Sequence, residues 1–143
     1  MLEKTSRAVL ISLLSMSAAL FAQEQKDEIR HMLAFSSSGR DNWLEVDNIN
    51  GAIAVSGYDG DAVQLVIQRT IWARSQEKFA QAKEDVVLDI EEDGDNIVLF
   101  VDTPYRQPDG SINYRGRRRQ GYEVTMDFEL KVPFATNLVL KTV

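Results

Sequence analysis

The chain has 143 residues, 16 basic against 22 acidic, with one histidine and no cysteine. Apolar residues make up 44% and charged ones 27%, the balance of a globular domain rather than of a collagen-like, coiled-coil or disordered chain. The missing thiols exclude a disulfide framework, cysteine catalysis, iron–sulfur clusters and every cysteine-based zinc site.

Residues 1–22 have the anatomy of a secretory signal peptide. Lys4 and Arg7 outweigh Glu3, and Ala8 to Phe21 is an uncharged run of 14 residues without a polar stripe at helical spacing. A spanning helix needs about 20 apolar residues, so this run suits a signal better than an anchor. Ala22, ahead of the polar stretch from Gln23 to Glu28, is the expected cleavage point, with Ala19 second; no cysteine stands there to take a lipid. The remainder is 121 residues with 14 basic and 21 acidic side chains and no further apolar run of membrane length. The expectation is an exported protein of the periplasm, cell surface or extracellular space, with no transmembrane anchor in its mature part. Residues 23–40 form a polar N-terminal segment, and 41–143 a single β domain.

Within that domain the dominant period is two. Tyr122, Val124, Met126, Phe128, Leu130 and Val132 alternate with Glu123, Thr125, Asp127, Glu129 and Lys131, a strand with one wet face. Val63, Leu65, Ile67 and Ile71 alternate similarly, with Arg69 breaking the set. Val86–Ile90 and Ile97–Val101 are shorter strands, and Gly94 between them marks a tight hairpin turn. Leu44–Val46 and Ala52–Val55 flank Asn50-Gly51, two residues that tolerate positive φ and signal a hairpin turn. One segment has helical spacing instead: Trp72, Phe79, Ala82 and Val86 share a face, and Ser75 can cap it, predicting one helix of about 11 residues packed on a sheet. Leu44–Ile49 and Leu138–Val143 share apolar residues at their first, third and sixth positions, a faint repeat.

The stretch from Leu44 to Val63, with Asn50-Gly51 and the Gly57-Tyr58-Asp59-Gly60-Asp61 turn, resembles the opening of a bacterial adhesin family of exported proteins built from β-strand repeats. Leu130–Val143 is similar to that family's approach to its repeat array. The resemblance covers residues 31–143 and implies a β-solenoid or β-roll-like module with one short helix between strands, truncated at its C-terminal repeats. An antiparallel β-sandwich is the alternative fold.

The most distinctive chemistry lies between Tyr105 and Gly121, where Arg106, Arg115, Arg117, Arg118 and Arg119 face Asp109 alone and tyrosines interleave. Guanidinium forks suit phosphate and carboxylate, making these five the candidate binding residues for an anionic envelope polymer or surface glycan. The competing reading is a solvated loop whose arginines pair with acidic strand faces. Export and net negative charge argue against nucleic acid. The Asp-Gly-Asp triplets at 59–61 and 93–95 read as turns. An EF-hand register from Asp89 puts Phe100 where the bidentate glutamate belongs, so no metal is assigned. His31 has no second histidine with which to build a zinc site. No nucleophile elbow or phosphate-binding glycine motif occurs, and nothing singles out a carboxylate pair. The expected function is a non-catalytic envelope or cell-surface interaction module of adhesin type, with no cofactor. A carbohydrate-active enzyme or polysaccharide-binding accessory on a β-helix frame is the rival, and a remnant of a longer protein a third reading.

Overall fold

A computed structural model describes residues 23–143 apart from Ser38; the leader expected over 1–22 lies outside the described residues. The strands are β1 (Gln23–Ala34), β2 (Trp43–Asp47), β3 (Ile53–Tyr58), β4 (Ala62–Ala73), β5 (Val87–Asp93), β6 (Asn96–Asp102), β7 (Tyr122–Pro133) and β8 (Asn137–Lys141). Two helices interrupt them, α1 (Gln76–Asp85) and α2 (Tyr114–Arg119). The strands form two four-stranded sheets, ordered β1-β4-β7-β3 and β5-β6-β2-β8. The protein is therefore mainly β, as its period-two pattern predicts. Both sheets are mixed: β3 runs parallel to β7, and β2 parallel to both β6 and β8, while the remaining pairs are antiparallel. Two sheets around one shared core are sandwich-like, but the antiparallel pairing expected throughout is corrected to a mixture of directions.

Alternation builds the core. Val63, Leu65, Ile67 and Ile71 of β4 and Val124, Met126, Phe128 and Leu130 of β7 turn the same way, and each is buried. They meet Leu44 and Val46 of β2 and Ile97, Leu99 and Val101 of β6 in one apolar cluster between the sheets. Helix α1 starts as expected, with the Ser75 hydroxyl accepting from the Lys78 N–H, and buries Phe79 and Ala82.

The structure departs from the expectations at four places. Trp72 is not on the helix; β4 runs on to Ala73, which puts Trp72 on its outer face, 38% exposed. The polar lead-in is a strand: β1 pairs with β4 along its whole length, from Gln23↔Ala73 to Ala34↔Ala62. A second helix, α2, stands where a loop is expected. Finally, Asn50-Gly51 joins strands of different sheets and makes a corner rather than a hairpin. Gly51 has φ of 124°, as the turn requires. The corner is pinned to β7: the Asn48 side chain donates to the Met126 carbonyl at 2.8 Å, and the Met126 N–H donates to the Asn50 carbonyl at 2.9 Å. Those bonds reach a strand distant in sequence, which no local turn rule anticipates. The β5–β6 turn is a true hairpin, with positive φ at Gly94, the first of its two central residues.

Candidate functional site

The arginine-rich segment between β6 and β7 is anchored from within. Tyr105 and Ile112 are buried, and Arg106 and Ile112 bridge its two limbs. A tight turn between them closes through Gln107 N–H to Ser111 carbonyl, 2.8 Å, with Gly110 at φ 85°. Asp109 accepts from both the hydroxyl and the N–H of Ser111, and these bonds hold its carboxyl below the usual carboxylate range.

Arg106 belongs to this anchor and leaves the candidate ligand set. Its side chain is 6% exposed and its Nη2 donates to Asp47 Oδ1 at 3.1 Å and to the Val101 carbonyl at 3.0 Å. The guanidinium carbon stands 4.3 Å from the Phe100 ring centroid, so the cation is spent on carboxylate, carbonyl and ring. Burial removes it from any polymer outside.

The other four arginines ride on α2. Asn113 caps the helix, its side-chain oxygen accepting from the Gly116 N–H at 3.1 Å, and Gly121 at φ 77° ends it. Arg117, Arg118 and Arg119 fall in the last turn, where cations complement the helix dipole. Helical spacing then divides them. Tyr114, Arg117 and Arg118, at i, i+3 and i+4, share one face, whereas Arg115 and Arg119 share the next. Both of the latter are exposed to solvent and stand outside the cleft described below.

The first face borders a cleft of about 490 Å³ whose other walls come from β4 and β7: Trp72, Arg74, Tyr122 and Glu123. One backbone bond assembles it. The Arg74 N–H donates to the Gly121 carbonyl at 3.1 Å, fastening the end of β4 to the end of α2. Trp72 and Glu123 are cross-strand partners on the outer face of the sheet. Arg117 donates to Glu123 Oε1 at 3.0 Å, which fixes one guanidinium while Arg74 and Arg118 stay exposed. Tyr114 is 54% exposed. The tyrosine beneath is different: Tyr122 is buried and donates its hydroxyl to Asp85 Oδ2 at 2.7 Å, and burial followed by that carboxylate raises its phenol well above the ordinary value. Three cations, one committed carboxylate and two solvent-facing rings thus converge on one surface. Arg74, Trp72 and Tyr114 were not among the candidates from sequence. For Trp72 the signal was there, since continuing the β4 alternation by two residues turns Ala73 inward and Trp72 outward.

The remaining sequence candidates disperse. His31 is exposed on β1. Asp59 and Asp61 sit in the β3–β4 turn, and Asp93 and Asp95 at the β5–β6 hairpin, whose Asp95 accepts from the Ser37 hydroxyl at 2.9 Å. Among the described residues no three histidine, aspartate or glutamate side chains gather into a metal-binding group, and no helix is long and apolar enough to cross a membrane. Comparison with protein-family models, with curated proteins and with solved structures finds no match to this chain.

Proposed function

We propose that this protein is an exported, non-catalytic interaction module of adhesin type that holds an anionic envelope polymer or acidic surface glycan in the cleft between α2 and the ends of β4 and β7. The observation that carries this reading is the meeting of Arg74, Arg117 and Arg118 with exposed Trp72 and Tyr114 around one cavity. Guanidinium groups take phosphate or carboxylate by paired hydrogen bonds, and flat aromatic faces take the apolar side of a sugar ring. Arg115 and Arg119 add field along the neighbouring face and attract a polyanion beyond the cleft. Export rests on the leader at 1–22. The parallel stacking of β8 on β2 and of β3 on β7 supports the coil-type, solenoid-like character that the adhesin resemblance implies for this end of the molecule.

The test is retention on a heparin-type resin together with calorimetric titration of an acidic oligosaccharide. Replacing Arg117, Arg118 and Arg119 by serine is expected to abolish retention while leaving the circular dichroism spectrum unchanged. Trp72→Ala is expected to weaken the oligosaccharide more than the resin, because it removes ring stacking and no charge. Equal retention of the triple variant and the parent would refute the site.

A further inference from the structure

The two ends of the sheet pair are built from different chemistry. At one end β1 and β5 are the outer strands, tied by Ala34 N–H to Glu92 Oε2 at 3.2 Å. Strand β1 carries Glu24, Lys26, Asp27, Glu28 and Arg30, and β5 carries Asp89, Glu91, Glu92 and Asp93. Charges of that density on an outer strand deter pairing with another chain. At the other end the outer strands are β3 and β8, joined where Thr142 Oγ1 donates to the Gly51 carbonyl at 3.3 Å. Strand β3 has no charged residue, and β8 has Lys141 alone, whose ammonium is held by Glu45 of the neighbouring strand at 2.6 Å. Among the described residues nothing pairs with the outer backbone of either strand.

The core is also unfinished at that end. In the β2–β8 register Leu138 lies beside Leu44 and Leu140 beside Val46, so both face inward. Leu44 and Val46 are fully buried, yet Leu138 is 40% and Leu140 44% exposed. Across from them Ile53 and Val55, which register with buried Phe128 and Leu130, are only partly covered.

We propose that this end is a homodimer interface, in which a second copy of the chain pairs β3 with its own β3 and β8 with its own β8 about a two-fold axis. Charge places a second copy at this end rather than elsewhere. The chain is net negative, so two copies repel over most of their surfaces and meet without repulsion where the surface is neutral. A two-fold axis makes each new strand pair antiparallel and self-complementary. Centred on Val139, the β8 pair sets each Lys141 opposite the partner's Asn137 and keeps the two ammonium groups apart. Leu138, Leu140, Ile53 and Val55 of both copies then close over one another, and each four-stranded sheet becomes half of an eight-stranded one. This inference is independent of the cleft.

Sedimentation velocity over a concentration series of the purified protein tests it. The expected result is a reversible monomer–dimer equilibrium. Leu140→Lys, which can extend its ammonium to water in the monomer but must bury it in the dimer, should raise the dimer dissociation constant at least tenfold. Ile90→Lys, at the charged end, serves as the control and should leave the constant unchanged, with melting curves confirming that both variants are folded. A parent protein that stays monomeric to high concentration overturns the proposal. So does a dimer that Leu140→Lys leaves intact, one that Ile90→Lys disrupts equally, or assembly into open polymers instead of a closed pair.

Discussion

Arg106→Met separates anchoring from binding. The substitution keeps an unbranched apolar stem and removes the guanidinium. Asp47 then loses the donor at 3.1 Å, the Val101 carbonyl loses its 3.0 Å partner, and the Phe100 face loses its cation. Removing one member of a buried ion pair costs about 3–5 kcal/mol. Two features lower the figure here: the Asp47 side chain keeps 16% of its exposure and can recover water, and Arg106 Nε is buried without a partner, so its loss relieves a desolvation cost. A net loss of about 2–3 kcal/mol follows. For a domain of this length that lowers the melting temperature by roughly 8–15 °C. Thermal unfolding followed by circular dichroism reads the loss, and titration with heparin at a temperature where both proteins are folded reads the binding. Stability should fall while the heparin affinity stays within about twofold, and Asp47→Asn added to Arg106→Met should cost less than the two changes taken singly. A melting temperature within about 2 °C of the parent, combined with a tenfold loss of heparin affinity, would show that Arg106 faces the ligand and that the anchor is misassigned.

Two further outcomes are expected. Gly51→Val places a Cβ 2.1 Å from the Met126 carbonyl oxygen at a φ of 124°, so the corner must leave β7; destabilisation of about 3 kcal/mol or more in urea unfolding is expected, and an unchanged midpoint would contradict the corner's geometry. Asp27 is held below the usual carboxylate range, chiefly by its hydrogen bond from Arg69, so its contribution is present above its unfolded-state value and disappears as pH falls through the lower folded one. With the carboxylate half exposed this amounts to less than about 1 kcal/mol; Asp27→Asn should lower stability slightly at pH 7 and not at pH 2, and an equal deficit at both would refute the assignment.

Strand β7 was legible because its alternation runs unbroken, buried on one side and wet on the other. Strand β1 was not: of its side chains only Leu33 is buried, so an outer strand held by ladder bonds to β4 leaves no periodic signature. Helix α2 is too short for a helical period to register, and its cap, Asn113, reads equally well as a loop residue. Separating Arg106 from its four neighbours was beyond sequence, since the residue type is identical and the difference lies in Asp47, Val101 and Phe100, which only the fold brings near. The cleft has the same origin. Arg74 and Trp72 enter it through the bond from β4 to Gly121, across a span that includes α1 and two strands.

The order of strands in the sheets also governs when the protein can fold. Strand β7 lies between β4 and β3, and β2 lies between β6 and β8, so each sheet depends on a strand supplied by the last segment of the chain. Leu65 waits for Leu130, and Leu44 for Leu138. Until β7, which ends at Pro133, leaves the ribosome the first sheet lacks its centre, and β4 has only β1 beside it. Such non-local pairing is slow. At a synthesis rate of about 5–20 residues per second, the first sheet stays incomplete for roughly 7–27 seconds of translation. Through that interval β4 keeps one edge unpaired and its apolar face open, the features that make a partly made chain prone to aggregate.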